Sequence, residues 1–183
     1  MLFRSIERAA EASPEFHPRF DALARSYSYT VGLRPEAASP FHRRWCWPLC
    51  APLDAGRLRR TTRTIVGEHS FRAFSKAGQP ERGERCRVAE ASWSEHPIGV
   101  ELRITADRYL HHMVRYLVGT LVDVARGRRP SGDVARLLHS DPDLTTSPPA
   151  PPQGLFLRSV TYAESAPHPH SSKPSSRRSP SPA

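Results

Sequence analysis

Arg115 stands in an otherwise apolar stretch, YLHHMVRYLVGTLVDVARG from Tyr109 to Gly127, where Leu110, Met113, Val114, Leu117, Leu121 and Val124 recur at helical spacing. At about 100° per residue its side chain leaves well off the centre of that stripe, yet Val118, Val122 and Ala125 leave few positions facing water. A guanidinium between apolar surfaces is costly unless a carboxylate or phosphate meets it. The chemistry open to Arg115 is therefore to aim an acid or hold an anion. The competing reading is an arginine that buries its stem and wets its head. Gly119, one turn on, removes side-chain bulk beside it.

Other reactive residues are less suggestive. His111 and His112 are adjacent, so on a helix they point about 100° apart rather than onto one face as i and i+4 metal ligands would. Cys46, Cys50 and Cys86 are odd in number, and Cys46 and Cys50 form a C-x-x-x-C pair near His42. With no second close pair, reduced structural cysteines are a better reading than zinc, and no metal is expected. No G-x-S-x-G turn is present.

The elements that must position these residues follow from period and punctuation. Arg25–Gly32 alternates, with Tyr27, Tyr29 and Val31 on one face and Ser26, Ser28 and Thr30 on the other, and predicts a strand. Pro35 and Pro40 mark a loop. Asp54 is placed to cap a helix carrying Leu58, Thr62, Ile65 and Val66 and closed by Gly67. Ser75–Glu84 has no period and reads as an exposed, charged loop. Arg87–Glu95 and Gly99–Ala106 form a hairpin, and the long helix from Tyr109 follows directly. Ser131 caps a short helix through Leu138, then Pro142–Pro152 form a loop leading to a last strand, Leu155–Tyr162. Hairpins with helices between them, rather than strict β-α alternation, predict an α+β domain with a mainly antiparallel sheet.

Charge and composition bound the partners. The net charge is +9, nearly all from arginine, and it falls only to +7 when Glu164, Lys173, Arg177 and Arg178 are left out. Arginine forks onto phosphates and stacks on bases, so a polyanion is the natural partner, although an arginine- and alanine-rich composition also arises from a GC-rich genome. Ser165–Ala183 contains only Ser, Pro, His, Lys, Arg and Ala and is expected to be a disordered tail. No apolar run approaches the roughly 20 residues of a membrane helix, and MLFRSIERAAEAS lacks a signal-peptide core. A cytoplasmic protein without membrane contact is expected.

The helix around Arg115, together with FHPRFDALARSYSY (Phe16–Tyr29), GEHSFRAFSKAG (Gly67–Gly78) and TTSPPAPPQGLFLRSVTY (Thr145–Tyr162), resembles the C-terminal part of tRNA pseudouridine synthase A almost unbroken from Phe16 to Tyr162. The resemblance implies a pseudouridine synthase-like α+β fold, a mainly antiparallel mixed sheet flanked by helices, with only the second subdomain complete. On that basis residues 1–15 are the remnant of a linker from an N-terminal subdomain, 16–164 the C-terminal subdomain, and 165–183 the tail. The implied activity is isomerisation of uridines in the anticodon stem and loop of tRNA, without metal or organic cofactor, in a homodimer. The alternative is an RNA-binding or dimerising remnant that performs no chemistry.

The family's catalytic aspartate lies in a segment resembling Arg-Thr-Asp-x-Gly-Val-His, upstream of everything matched. None of Asp21, Asp54, Asp107, Asp123, Asp133, Asp141 or Asp143 has those flanks, so a truncated and by itself inactive chain is expected. Residue by residue, the resemblance makes Arg115 the partner of that aspartate, Tyr27 the aromatic that packs on the target uracil, and Leu157 a pocket-lining residue that excludes water. Arg19, Arg25, His111 and His112 match basic positions near the RNA path. Without it, Tyr27 would read as a core strand aromatic and the four basic residues as solvated surface. Asp107 stands where the family often has asparagine, and could disturb Arg115 by pairing with it; Tyr109 stands where phenylalanine is common.

Overall fold

Tyr29 and Val31 alternate with polar residues and are both fully buried, which fixes the first strand's orientation in the sheet. The computed structural model describes residues 11–76 and 83–163. The middle of the charged loop, the first ten residues of the expected linker, and the expected tail lie outside the described residues. The strands are β1 (Ala22–Gly32), β2 (Trp47–Pro48), β3 (Gly67–Ser70), β4 (Arg85–His96), β5 (Gly99–Ala106) and β6 (Leu155–Tyr162). The helices are α1 (Ala55–Arg63), α2 (Met113–Ala125) and α3 (Asp133–Leu138), with single 3-10 turns at Pro35–Ala38, Arg72–Phe74 and Pro152–Gly154.

The sheet order is β2-β1-β5-β4-β3, and β6 also pairs with β1. One edge of β1 carries β5. The other carries β6 along Ala22–Tyr29 and then β2 at Val31 and Gly32. Every pairing is antiparallel except β1 with β2, so the expected α+β, mainly antiparallel mixed sheet is what forms.

The helices lie on one face of this sheet. Leu102 and Ile104 from β5 and Tyr29 and Val31 from β1 share one core cluster with Leu117, Val118 and Leu121 of α2, Leu58 of α1, and Val134 and Leu137 of α3. Trp93 of β4 reaches into it and donates its indole N–H to the Thr62 hydroxyl at 2.8 Å, satisfying two buried polar groups at once. On the opposite face Ser92, Ser94 and Arg103 are exposed. Ser28 and Thr30 are nevertheless buried, so the two faces of β1 are less unlike than the alternation predicts; Ser28 lies in register between the larger Arg103 and Phe156.

Helix α1 begins as predicted, with the Asp54 carboxylate accepting from the Arg57 backbone N–H at 2.8 Å, a cap that stabilises a helix by about 1 kcal/mol. It ends at Arg63, not at Gly67. Thr61, Thr62, Thr64, Ile65 and Val66 are all β-branched and weaken helix propagation, and the Thr64 hydroxyl donates back to the Thr61 carbonyl at 2.8 Å. Gly67 instead opens β3 with a φ of 112°, a value open to glycine and strained for other residues. The short helix α3 has Gly132 at its N-cap and no side-chain cap, so Ser131 does not do the job assigned to it.

The long helix also starts late. Residues Asp107–His112 turn, and His112 adopts left-handed backbone geometry with φ 64°, so α2 begins only at Met113. Leu110 is buried all the same, which is why it fits the apolar stripe without being helical. Gly127, with φ 71°, closes the segment where the sequence predicts.

Candidate active site

Tyr27 and Leu157 are brought face to face. They are register partners across β1 and β6, although 130 residues separate them in the chain. Tyr27 is half-buried, and the ring of Tyr109 meets it edge-on with centroids 5.0 Å apart. The Tyr109 hydroxyl lies 3.0 Å from the Arg25 carbonyl and 2.9 Å from the Ile104 carbonyl, so the extra oxygen relative to phenylalanine has acceptors on both adjacent strands. Burial pushes that phenol well above its ordinary range and keeps it a neutral donor. Leu157 is 54% exposed, an apolar side chain presented rather than packed.

Arg115 lies in the first turn of α2 and is half-buried. Its Nε donates to the Ala150 carbonyl at 2.6 Å, and the Ala150 N–H donates to the Arg115 carbonyl at 2.9 Å. This two-way clasp fixes both the backbone and the inner end of the guanidinium. Among the described residues the terminal nitrogens have no carboxylate partner within ion-pair distance. The Tyr29 hydroxyl donates to the Pro151 carbonyl at 2.6 Å; burial raises its pKa, and the positive charge of Arg115 works in the opposite direction. Tyr27 is two residues from Tyr29 on the same side of β1, roughly 7 Å along the strand. Arg115 thus acts electrostatically on the strand residue that neighbours Tyr27 on its own face of β1.

The loop that clasps Arg115 is itself latched. Gly119 allows it to cross α2, since a Cβ there would lie well inside contact distance of the Pro148 carbonyl oxygen. The Thr120 hydroxyl accepts from the Ser147 N–H at 3.2 Å. Further back, Arg129 donates to the Ser147 hydroxyl at 3.2 Å and the Thr145 carbonyl at 2.7 Å, and forms an ion pair with Asp133 at 3.1 Å. The sequence reading missed Arg129, Asp133 and Ser147. The four-residue spacing of Arg129 and Asp133 was visible, but Pro130 and Gly132 between them hid its meaning.

The remaining candidates divide. His111 and His112 are not helical; they precede α2 with ring centroids 4.0 Å apart. Partial desolvation, then the nearby His111, Arg115 and Lys76, hold His112 below the ordinary imidazole range. Lys76, which no sequence motif singles out, is tied to this turn by its backbone N–H, which donates to the His111 carbonyl at 3.1 Å. Arg25 is occupied in bracing the fold, donating to the Arg19 carbonyl at 2.6 Å and the Asp107 carbonyl at 3.2 Å. Arg19 is exposed, with its guanidinium 5.7 Å from the Phe20 ring centroid. Asp107 does not compete for Arg115: one carboxylate oxygen accepts from the Arg87 and Arg108 backbone N–H groups. Cys46 and Cys86 are buried thiols and Cys50 an exposed one, and no group of three metal-ligating side chains occurs among the described residues.

A half-buried tyrosine beside an exposed leucine, and a guanidinium held at Nε with His112 and Lys76 near it, are groups that suit a planar ring and an anionic backbone respectively. A family model described as tRNA pseudouridine synthase matches residues 62–163, more than half of the chain. The chain belongs to the tRNA pseudouridine synthase family. Curated proteins called tRNA pseudouridine synthase A are similar over most of its length. That of Geobacter sp. (strain M21) is 37% identical over 161 residues, 87% of this chain and 65% of the relative. That of Moorella thermoacetica is 36% identical over 84% of this chain and 62% of the relative. That of Myxococcus xanthus is 36% identical over 89% of this chain and 62% of the relative. The chain thus spans a little under two thirds of the length of these synthases, and Arg115, His111, His112 and Leu157 all fall inside the matched family region.

Proposed function

We propose that this chain takes part in isomerising uridine to pseudouridine in the anticodon stem and loop of tRNA. The reaction breaks the bond from ribose C1′ to uracil N1, turns the ring, joins C1′ to C5 and releases the C5 proton while N1 gains one. Atoms and electrons balance within the substrate and water, so the chemistry asks for neither metal nor redox cofactor.

The uracil must leave its stack to react. Tyr27 offers its ring to the flipped base, an interaction of roughly 1–3 kcal/mol, and Leu157 keeps water from the same face. Arg115 pairs with the carboxylate that starts the reaction, keeping it ionised in a sequestered setting and aiming it. His111, His112 and Arg19 meet backbone phosphates, while Arg25 supports the site by holding the Arg19 segment against the turn at Asp107. The enzyme acts as a homodimer in the cytoplasm, where its tRNA substrates are.

The observation that carries this reading is the state of Arg115: clasped at Nε, close enough to Tyr29 for its charge to act on that phenol, and without an acid partner among the described residues. The test is tritium release from tRNA labelled at uridine C5. It is run with the chain alone and with the chain joined in frame to the N-terminal third of the Geobacter relative. The joined protein is expected to release tritium, and Arg115→Met to abolish release while leaving tRNA affinity largely intact. Turnover by Arg115→Met at the unsubstituted rate overturns the pairing role. tRNA binding without turnover in every form supports the non-catalytic alternative.

A further inference from the structure

A concave site lies near the end of α2 away from Arg115. There a pocket of about 690 Å³ opens between α1 and the residues leading into α3, with Arg57, Arg60 and Thr64 on one wall and Arg129, Ser131 and Gly132 on the other. The volume falls in the range of ligand sites, but three arginines and no acid line it, where small-molecule pockets are mostly apolar.

The three arginines differ in what they have left to offer. Arg129 has its donors committed to Asp133, Ser147 and Thr145, so it brings charge but few free hydrogen bonds. Arg57 sits 3.8 Å from Asp54 in a loose, half-exposed pair. Arg60, one turn further along α1, is exposed, and its side chain donates no hydrogen bond among the described residues. Asp54 and Asp133 offset two of the charges from outside the lining. Arg59 and Arg63 restore the excess, since α1 carries four arginines and no acid from Ala55 to Arg63. The Ser131 hydroxyl, not used as a cap, is available on the facing wall, and the space above Gly132 is open.

The placement relative to Arg115 selects the occupant. The Asp54 N–H donates to the Ala125 carbonyl at 3.0 Å, and an Arg57 terminal nitrogen lies 3.4 Å from where a Cβ on Gly127 would stand. The pocket thus adjoins the C-terminal end of α2, ten residues and about 15 Å along the helix from Arg115. That span is a few nucleotides of RNA backbone.

We infer that the α1–α3 pocket is a phosphate-binding site for the backbone of the same RNA whose base enters at Tyr27, with Arg57 and Arg60 as the phosphate ligands. The inference rests on the RNA-modifying reading above and adds where the RNA is held.

The experiment measures binding of labelled tRNA and of a labelled uridine dodecamer to the 183-residue chain, by anisotropy, over a series of KCl concentrations. The Arg57→Gln/Arg60→Gln protein is expected to bind both more weakly, with the slope of log K against log salt shallower by about 1.4–1.8, two phosphates at about 0.7–0.9 each. Arg60→Gln alone, which leaves the Asp54 cap and its pair untouched, is expected to lose about half of that. Arg85→Gln/Arg103→Gln, which removes two arginines paired with Glu68 and Glu101, serves as the charge control and is expected to leave the slope nearly unchanged. A tRNA complex whose slope is the same with and without Arg57 and Arg60 overturns the pocket while leaving the RNA-modifying reading intact. An arginine-dependent slope with the dodecamer but no preference for tRNA supports the pocket and counts against the tRNA reading. Binding of neither RNA overturns both.

Discussion

Asp133→Asn tests the latch that fixes the Arg115 loop. The substitution keeps the shape of the side chain and removes its charge, leaving Arg129 with Ser147 and Thr145 but without its counter-ion. Both side chains are largely withdrawn from water, at 14% and 10% exposure. Removing one partner of a buried pair costs about 3–5 kcal/mol, because the other charge remains desolvated. Here the residual exposure and the two surviving hydrogen bonds lower that to about 2–3 kcal/mol. For a chain of this size about 1 kcal/mol moves the melting temperature by roughly 2–4 °C, so a fall of about 5–10 °C is expected in a thermal melt. Hydrogen exchange gives the local readout: the Ala150 amide, which donates to the Arg115 carbonyl, should lose protection more than the α2 amides. Replacing both partners, as Arg129→Met/Asp133→Leu, should recover part of the stability, since no unpaired charge is left behind. An Asp133→Asn protein that melts within about 1 °C of the unsubstituted chain, with Ala150 equally protected, refutes the latch.

Two further expectations follow from the same geometry. Gly119→Ala would gain about 1 kcal/mol on helix propensity alone, but its Cβ meets the Pro148 carbonyl, so the structure predicts the opposite sign, a lowered melting temperature; a stabilised variant would show that the loop does not cross there. His112 is held below the ordinary imidazole range in the free protein, so its protonated form is disfavoured until a phosphate arrives. Binding then takes up a proton. Affinity for tRNA should rise as pH is lowered from 7 and level off below the depressed His112 value, while the free fold gains nothing from protonation; an unchanged pH profile in His112→Asn removes His112 from the RNA contact.

What could be read from the residues was what short-range physics writes into them. Alternation in β1, the run of Leu155–Tyr162, the Asp54 cap and the Gly127 stop are each decided within a few residues, and each is where the sequence places it. The limits of α1 and α2 depart from the sequence expectation for a related reason. Val66 and Leu110 fit a helical stripe, but β-branched residues end α1 early, and a left-handed His112 turns the chain before α2 can begin. Periodicity reports which residues are buried, and burial does not require that they be helical.

The sequence alone, through its resemblance, singled out Arg115, Tyr27 and Leu157, because residue identity at matched positions carries chemical role. Only the tertiary structure decided that Tyr27 and Leu157 are cross-strand partners and that Ala150 clasps Arg115. It also decided that Arg129, Asp133 and Ser147 hold the clasp in place. These contacts join residues from 4 to 130 positions apart, and those of Arg115 and of Arg129 with Ser147 run to a proline-rich loop with no period of its own. Their geometry is fixed by how the sheet, α2 and that loop pack together, which local propensity does not encode.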